Sequence, residues 1–462
     1  SDRPQPGGIG DCMYRLKAAG FDGAQVLELL RDVTIYPVFT AHPTESTRRT
    51  MLRKQQQIAD LMIERLDPTL TPAERRSVWD RIRMEVTAGW QTEVHPRERL
   101  TVADEREHVL FYLAEVIYRM VPALYEELAY WLETVFGVSA DAGNLPLLLR
   151  FGTWVGGDMD GNTEVHAKTI RETLHRHQQR IISTYYEECR ILAGKLSQSA
   201  SRVGVSRELE DRIAEYDILL PNSRQATLSR HDRMPYRAFL SQVAARLRTT
   251  YDGHPNHYES AEHFIRDIEI VATSLRANHG QHAGLFPVER LLCRARTFGF
   301  HLATLDVRQH ASVHRDVIRQ GLALADWKRR KVDARRVVLR EALARDRGPI
   351  GSFDAVGRRT LAVFEALIHG RNKYGDRATG DYVVSGTEGP DDVLSVLLLA
   401  RWADITDRNV GEVPLDIAPV VETAAALEGA GEILRGLLTE DTYRRHLAAR
   451  GNRQTVLVGY SE

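Results

Sequence analysis

Six short apolar, β-prone runs, each followed directly by polar or glycine-rich residues, constrain the fold of this chain more than any other feature. They are TIYPVF (34–39), LLLRF (147–151), HLATLD (301–306), DYVVS (381–385), DIAPVV (416–421) and TVLVGY (455–460). The later runs begin about 35 to 40 residues apart with helical periodicity between them, which is the size of a strand–helix unit. Reactive residues at the ends of such strands are typical of a β/α barrel. We therefore predict a helix-rich α/β protein with a (β/α)8 barrel of the TIM type. Large helical insertions should interrupt this barrel, which is expected to be incomplete at the C-terminus.

Helical periodicity dominates the long intervals between the early runs. In the stretch 103–136, apolar residues recur at spacings of three and four and form one stripe of an amphipathic helix, which Pro122 should kink. Similar helices are predicted at 53–66, 164–195, 205–219 and 236–249. The strongly basic run 327–347 is predicted to be a solvated helix face, or a helix and its linker, rather than a binding patch.

These patterns predict a single domain over residues 1–462. Its parts are an N-terminal extension (1–30), the first strands with a helical insertion (34–151), a second helical insertion (152–300) and the later strand–helix units (301–462). The insertions are placed early because the first intervals between runs are far longer than one strand–helix unit.

Charge and cysteine content exclude several classes of protein. The formal net charge is −1, from 62 basic and 63 acidic residues, so no overall attraction to nucleic acid or membrane is expected. Cys12, Cys189 and Cys293 lie far apart and form no CxxC pair, which argues against a disulfide framework and fits a reducing compartment. No run of about 18 apolar residues is present, so we predict no membrane span and expect a cytoplasmic protein.

A histidine follows the first apolar run at once. His42 lies in TAHPTESTRR, between hydroxyl side chains and close to Arg48 and Arg49. An imidazole in this position can exchange protons near neutral pH, and the two cations favour an anionic ligand. A structural histidine is the alternative that the sequence leaves open.

A glycine-rich stretch, GTWVGGDMDGN, follows the second run. It supplies the candidate substrate-binding residues Trp154, Gly156, Gly157, Asp158, Asp160 and Asn162. Glycines allow a tight turn and bring N–H groups close to an anion or to a neighbouring loop. An EF-hand is excluded, because Thr163 and Thr169 occupy the positions where that loop needs glycine and a carboxylate. A structural turn and a ligand-binding loop remain equally compatible with the spacing.

Charged residues also end the later runs. Arg308, next to Gln309, offers a planar fork that suits phosphate or carboxylate, although a salt bridge is the alternative. Glu422 closes one run and Glu462 follows the last, so the two carboxylates could share a magnesium or manganese ion. A helix cap or a surface charge is the alternative for each.

Several histidine pairs imitate metal sites without completing one. His310 and His314 have the i, i+4 spacing of a helical zinc pair, but the glutamate of HExxH is absent. The pairs His175/His177 and His279/His282 lack a nearby third ligand. We interpret these side chains as surface or core histidines.

Taken in order along the chain, these motifs resemble the phosphoenolpyruvate carboxylase family. The similar segments are VFTAHPTESTRRT, GWQTEVHPRERLTVADE, FGTWVGGDMDGNTEV, LATLDVRQHASVHRDVI, DYVVSGTEGPDDVLSVLLLAR, IAPVVETAAALEGA and QTVLVGYSE. The resemblance implies that phosphoenolpyruvate and bicarbonate give oxaloacetate and phosphate, a reaction that feeds the tricarboxylic acid cycle. It also implies a tetramer that uses Mg²⁺ or Mn²⁺ and no biotin.

The resemblance assigns roles to particular residues. His42 would handle the carboxyphosphate and CO2 half of the reaction, and Arg308 would bind the substrate phosphate. Glu422 and Glu462 would be the metal ligands, although the family normally has aspartate at the second position. Met159 and Thr163 also depart from the family, which often has arginine and proline there.

The family's downstream lysine, glycine-rich arginine loop and C-terminal effector site have no counterpart in this sequence. We therefore expect little or no carboxylase activity from the 462-residue chain alone. Two other functions remain open. One is a short homologue that binds partners without catalysis, and the other is a metal-dependent lyase acting on a related enolate.

Overall fold

The computed structural model describes residues 4–40, 49–93, 101–139, 143, 145–221, 234–345, 348–403 and 413–459. In this part of the chain six strands form one sheet. They are β1 (Val38–Phe39), β2 (Gly152–Thr153), β3 (Thr304–His310), β4 (Thr379–Ser385), β5 (Ile417–Val421) and β6 (Leu457–Val458). The strands lie side by side in sequence order, and every neighbouring pair is parallel.

Each strand lies within or next to one of the six apolar runs, so the predicted helix-rich α/β class with a parallel sheet is confirmed. The first two strands are short, and an isolated bridge between Ile35 and Leu149 adds to their pairing. Closure into an eight-stranded barrel stays a prediction.

Helices connect the strands and fill the long intervals. Their bounds are Ile9–Ala18, Gly23–Asp32, Arg49–Glu64, Pro72–Trp90, Val102–Phe111, Tyr118–Phe136, Ala167–Lys195, Arg207–Leu219, Pro235–Asp252, Ala261–Ala277, Phe286–Phe298, Ala311–Gly321, Val332–Ala344, Ala355–Tyr374, Pro390–Ala403, Ala424–Leu438 and Asp441–Ala449. The described residues also include the π-helical turn Tyr112–Ile117 and the 3₁₀ turn Trp327–Arg329. The segment Gln281–Leu285 is a kink with non-helical backbone at Ala283 and Gly284. Within the described ranges, no helix is long and apolar enough to cross a lipid bilayer.

The chain divides into two compact units, one made of residues 1–39 and 112–462 and the other of residues 40–111. The smaller unit contains the helices Arg49–Glu64 and Pro72–Trp90. Thr71 and Glu74 form a capping box at the start of the second helix. Lys54 and Glu85 join the two helices through an ion pair of 3.0 Å. The prediction of a single domain stays a prediction.

Pro122 lies inside the helix Tyr118–Phe136, directly after the π-helical turn. Because proline has no N–H, the carbonyl oxygen of Tyr118 lacks its usual donor four residues later. Arg294 Nε donates to this oxygen at 2.9 Å, and its guanidinium lies 4.8 Å from the centre of the Tyr118 ring. A side chain from a distant helix therefore satisfies the backbone group that the proline leaves without a donor.

The basic run 327–347 is not uniformly solvated, which corrects the simplest form of that prediction. Trp327 is fully buried, and only 7% of Arg335 is exposed. Arg335 Nε donates to Asp391 Oδ2 at 2.5 Å. Trp327 therefore anchors the turn before the helix Val332–Ala344, and Arg335, Leu339 and Leu343 pack that helix onto the core.

The helix Pro390–Ala403 is almost entirely buried. Both acidic residues of its first turn, Asp391 and Asp392, are fully buried as well. Asp392 receives two hydrogen bonds from Arg315, at 2.7 and 2.8 Å. The N–H groups of Glu388 and Gly389 also donate to it, at 2.9 and 3.2 Å. The carboxylate thus joins the helix after β3 to the loop after β4.

Replacing Asp392 by alanine should therefore lower the free energy of unfolding by about 3–5 kcal/mol, because two backbone N–H groups lose their acceptor and Arg315 keeps only its exposed partner Glu388. Urea unfolding followed by circular dichroism measures the change. The matched control is Asp333→Ala, since Asp333 pairs with Arg336 on the surface and is 91% exposed. Equal unfolding midpoints for the two variants would contradict this account of the core.

Candidate active site

Parallel strands place their C-terminal ends at one edge of the sheet, where several of the candidate residues that the structure describes lie. Side chains alternate between the two faces of a strand, so Asp306, Arg308 and His310 share one face of β3. Arg308 pairs in register with Val383 on β4, and His310 pairs with Ser385. The end of β4 therefore lies beside Arg308 and His310 in the sheet.

Trp154 is the apolar centre of this face. It follows β2 directly, is half-buried, and packs against Val383, Ala418 and Val420 of β4 and β5. Its Nε1–H donates to Asp306 Oδ2 at 3.2 Å. The indole is therefore held by apolar contact on its ring and by one carboxylate at its edge.

Arg308 is held by two contacts. Its Nε and Nη2 donate to the two oxygens of Asp158 at 2.9 and 2.8 Å, and its guanidinium lies 5.0 Å from the centre of the Trp154 ring. Burial opposes its positive charge, but the hydrogen bonds and charge of Asp158 prevail, so the pKa of Arg308 is raised. This fork fixes the plane of the guanidinium and leaves Nη1 uncommitted to Asp158.

Two glycines allow the loop after β2 to reach Arg308. Gly156 has φ +88°, and a Cβ there would collide with Thr173. A Cβ on Gly157 would collide with the carbonyl oxygen of Asp306. Because both positions lack a side chain, the loop continues the parallel pairing onto β3, with Arg308 N donating to Gly157 O at 3.1 Å.

The N–H groups of this loop are mostly engaged within the protein. Those of Gly157 and Asp158 both donate to Trp154 O at 2.9 Å, and that of Asp160 donates to Asp158 Oδ1 at 3.1 Å. Asn162 Oδ1 accepts from Glu164 N at 3.0 Å. These contacts give the loop a structural role, and its contact with substrate stays a prediction.

Two further side chains at this edge have clear partners. Asp160 Oδ2 accepts from Ser385 Oγ at 2.6 Å, which joins the loop after β2 to the end of β4. The side-chain oxygen of Gln309 accepts a hydrogen bond from the backbone N–H of His310 at 2.8 Å. A substrate contact by Gln309 remains a prediction.

Glu422 follows β5 and is partly exposed. Its Oε1 accepts from Gly386 N at 2.8 Å, and Gly459, after β6, lies against its Cβ. A carboxylate at a strand end suits Mg²⁺ or Mn²⁺, which prefer oxygen ligands. Among the residues that the structure describes, no group of three or more His, Cys, Asp or Glu side chains could hold a metal ion. Glu422 thus fits as one ligand that needs others.

The remaining predicted site residues fall outside this description. His42, Arg48 and Glu462 are not among the described residues, and Arg49 begins the helix Arg49–Glu64 without a described side chain. The structure thus brings together Trp154, Asp158 and Arg308, while Glu422 lies at the end of β5, two strands from β3 in the sheet. The roles of all these residues stay predictions.

Sequence reasoning missed Asp306, although its position two residues before Arg308 on the same strand was a usable signal. Asp306 is 5% exposed and also accepts from Asp381 N at 3.1 Å. Burial, and then repulsion from Asp381, raise the pKa of Asp306 to about 7, against the opposing hydrogen bonds from Asp381 and Trp154. Its charge therefore changes near neutral pH, next to the indole that supports Arg308.

We predict that the indole ¹⁵N–H resonance of Trp154 shifts with a midpoint near pH 7, because its acceptor gains a proton there. The folded pKa lies above that of an unfolded aspartate, about 4, so this carboxyl's contribution to stability falls as the pH rises from about 4 through 7. NMR on protein labelled at tryptophan measures the shift, and Trp154→Phe assigns the signal. Asp306→Asn should abolish the midpoint, whereas a constant Trp154 signal in the original chain would contradict the prediction.

Comparison with known proteins gives one consistent family. The family model for phosphoenolpyruvate carboxylase matches residues 1–462. A phosphoenolpyruvate carboxylase of Xanthomonas euvesicatoria pv. vesicatoria is 44% identical over 463 residues, covering 100% of this chain and 51% of the relative. Those of Ralstonia nicotianae and Azorhizobium caulinodans are 34% and 30% identical, each covering 99% of this chain and 48% and 51% of the relative.

The chain thus spans about half the length of the curated relatives it matches. The family match covers residues 1–462 and so includes the strand ends that carry Trp154, Arg308 and Glu422. The chain belongs to the phosphoenolpyruvate carboxylase family.

Proposed function

We propose that this chain carries part of the active site for the carboxylation of phosphoenolpyruvate. In this reaction phosphoenolpyruvate and bicarbonate give oxaloacetate and phosphate, through carboxyphosphate and the enolate of pyruvate. Family membership supports the proposal, and one observation carries it locally. Arg308, at the C-terminal end of β3, is locked by Asp158 and Trp154 with Nη1 left uncommitted to Asp158.

In this proposal Arg308 binds the substrate phosphate. Because Asp158 and Trp154 already fix the guanidinium, little side-chain entropy is lost when an anion binds. Trp154 also covers the apolar strands beneath it, which keeps water from that side of the site. The glycine-rich loop, with Asp160 tied to Ser385, holds this arrangement in place.

His42 is proposed to act on the carboxyphosphate and CO2 half of the reaction, as a proton-exchanging group three residues beyond β1 in the sequence. Arg48 and Arg49 supply positive charge near it in sequence, which suits anionic substrates. Gln309 and Asn162 are proposed to contact substrate from the neighbouring strand and loop.

Mg²⁺ or Mn²⁺ is the proposed cofactor, with Glu422 and Glu462 as ligands and no biotin. Such an ion would stabilise the negative charge that develops on the enolate oxygen. Within the described chain, Glu422 is positioned for this by the N–H of Gly386. That hydrogen bond occupies Oε1 and leaves Oε2 for a ligand.

The finer structural predictions belong to the same proposal. The six parallel strands in sequence order are those expected from the first part of a TIM-type barrel. The family resemblance supports a homotetramer and a cytoplasmic location.

The test is oxaloacetate formation, coupled to malate dehydrogenase, by the 462-residue chain and by a chimera in which it replaces the matched half of the Xanthomonas euvesicatoria relative. The chimera should need bicarbonate and a divalent ion. His42→Asn and Arg308→Gln should each lower kcat/KM by roughly 100-fold or more, because each removes a group that contacts reacting atoms. Arg207→Gln is the matched control, since the Arg207 side chain is 90% exposed.

Three results would contradict the proposal. Turnover without bicarbonate would indicate a lyase acting on a related enolate. A folded chimera that binds partners but shows no turnover would indicate a non-catalytic homologue. Unchanged kcat/KM in Arg308→Gln would show that this arginine does not bind the substrate.

A further inference from the structure

His310, set aside above as half of an imitation zinc pair, lies at the end of β3 and caps the helix Ala311–Gly321. Its Nδ1 accepts from the backbone N–H of Ser312 at 3.2 Å, with Ser312 Oγ at 2.8 Å. Because a backbone N–H can only donate, Nδ1 carries no proton in this arrangement. The ring proton is therefore on Nε2.

The position of Nε2 is defined by Gly386. A Cβ on Gly386 would collide with Nε2 and Cε1 of His310, so the edge of the imidazole lies directly against this glycine. Gly386 has φ +62°, and its own N–H donates to Glu422 Oε1 at 2.8 Å. The donor edge of His310 and the carboxylate of Glu422 thus flank the same backbone residue.

His310 also follows Arg308 on the same face of β3. Two residues along a strand correspond to roughly 7 Å. His310 therefore lies about that distance beyond Arg308, at the C-terminal end of β3. His310 thus lies on the same face of β3 as Arg308 and contacts the glycine that hydrogen-bonds to Glu422. Nε2 has no hydrogen-bond partner among the described residues, and His310 is partly exposed.

We propose that His310 is a substrate-binding residue whose Nε2–H donates a hydrogen bond to the carboxylate of phosphoenolpyruvate. This inference rests on the proposed function and extends it. Arg308 binds the phosphate of phosphoenolpyruvate, and His310 binds its carboxylate, at the end of the substrate nearer Glu422. Because the Ser312 N–H donates to Nδ1, the imidazole proton is already on Nε2 before the substrate binds.

Two other roles for His310 make different predictions. A metal ligand would need a bare Nε2, which conflicts with the N–H that Ser312 directs at Nδ1. A pure helix cap would use Nδ1 alone, and its loss would affect stability without distinguishing one ligand from another.

The experiment is isothermal titration calorimetry with Mn²⁺ present, on the 462-residue chain and on the chimera described above. Phosphoenolpyruvate and inorganic phosphate are the two probes, because only the first carries a carboxylate. His310→Ala should weaken phosphoenolpyruvate binding about 10-fold, the expected effect of a hydrogen bond to a charged group, and leave phosphate binding unchanged. Arg308→Gln should weaken both probes.

Two matched variants separate the donor from the cap. His310→Gln keeps an N–H donor at similar reach and should recover most of the phosphoenolpyruvate affinity. Ser312→Ala keeps the backbone N–H that sets the tautomer and should bind both probes like the original chain. Long-range ¹H–¹⁵N NMR of the imidazole should show the proton on Nε2.

The outcomes are distinct. If the original chain and the chimera bind neither probe, the proposed function and this inference both fail. If phosphoenolpyruvate binds and His310→Ala binds it equally well, the proposed function stands and the inference is overturned. Equal weakening of both probes in His310→Ala would also overturn it, because that is the result expected for a helix cap.

Discussion

The parallel pairing of the loop after β2 with β3 is the constraint on which the candidate site depends. It continues beyond the strand itself, from Thr153 opposite Leu305 to Asp158 opposite Arg308. This continuation requires the backbone of Gly157 to touch the carbonyl of Asp306, which no side chain would permit. Once the loop is in place, the Asp158 carboxylate meets the Arg308 fork, and the Trp154 ring lies against the guanidinium.

Three arginines, from the candidate site to the surroundings of the helix Pro390–Ala403, each form an ion pair with an aspartate. Arg308 is balanced by Asp158, Arg315 by Asp392 and Arg335 by Asp391. Removing one partner of a buried pair costs much more than the net value of the pair, so these contacts fix geometry more than they add stability. Asp306 differs, because it faces Asp381 and two N–H groups, and its raised pKa follows from that environment.

The sequence predicted the strands well because each apolar run ends in polar residues, a pattern that is local. It also proposed Arg308 and Glu422 as site residues from their places near run ends, and those roles stay predictions. It could not identify the partners, because the bond between Asp160 and Ser385 joins residues 225 positions apart and depends on strand register. Arg294, which satisfies the carbonyl left free by Pro122, was hidden for the same reason. His310 and His314 were interpreted as surface or core histidines, and the structure agrees, since His314 is fully buried against Tyr382 and His310 is partly exposed.

The pairing of Arg308 with Asp158 also limits what Arg308 can contribute to binding. The pair is close to neutral overall, so attraction for a doubly charged phosphate must come mainly from other cations. In the proposed function a divalent ion at Glu422 supplies part of this positive charge. Arg308 then supplies direction rather than net charge, through donors held in one plane by Asp158 and Trp154. A neutral donor such as His310 acts in the same way, since a fixed N–H selects the orientation of an anion without adding charge to the site.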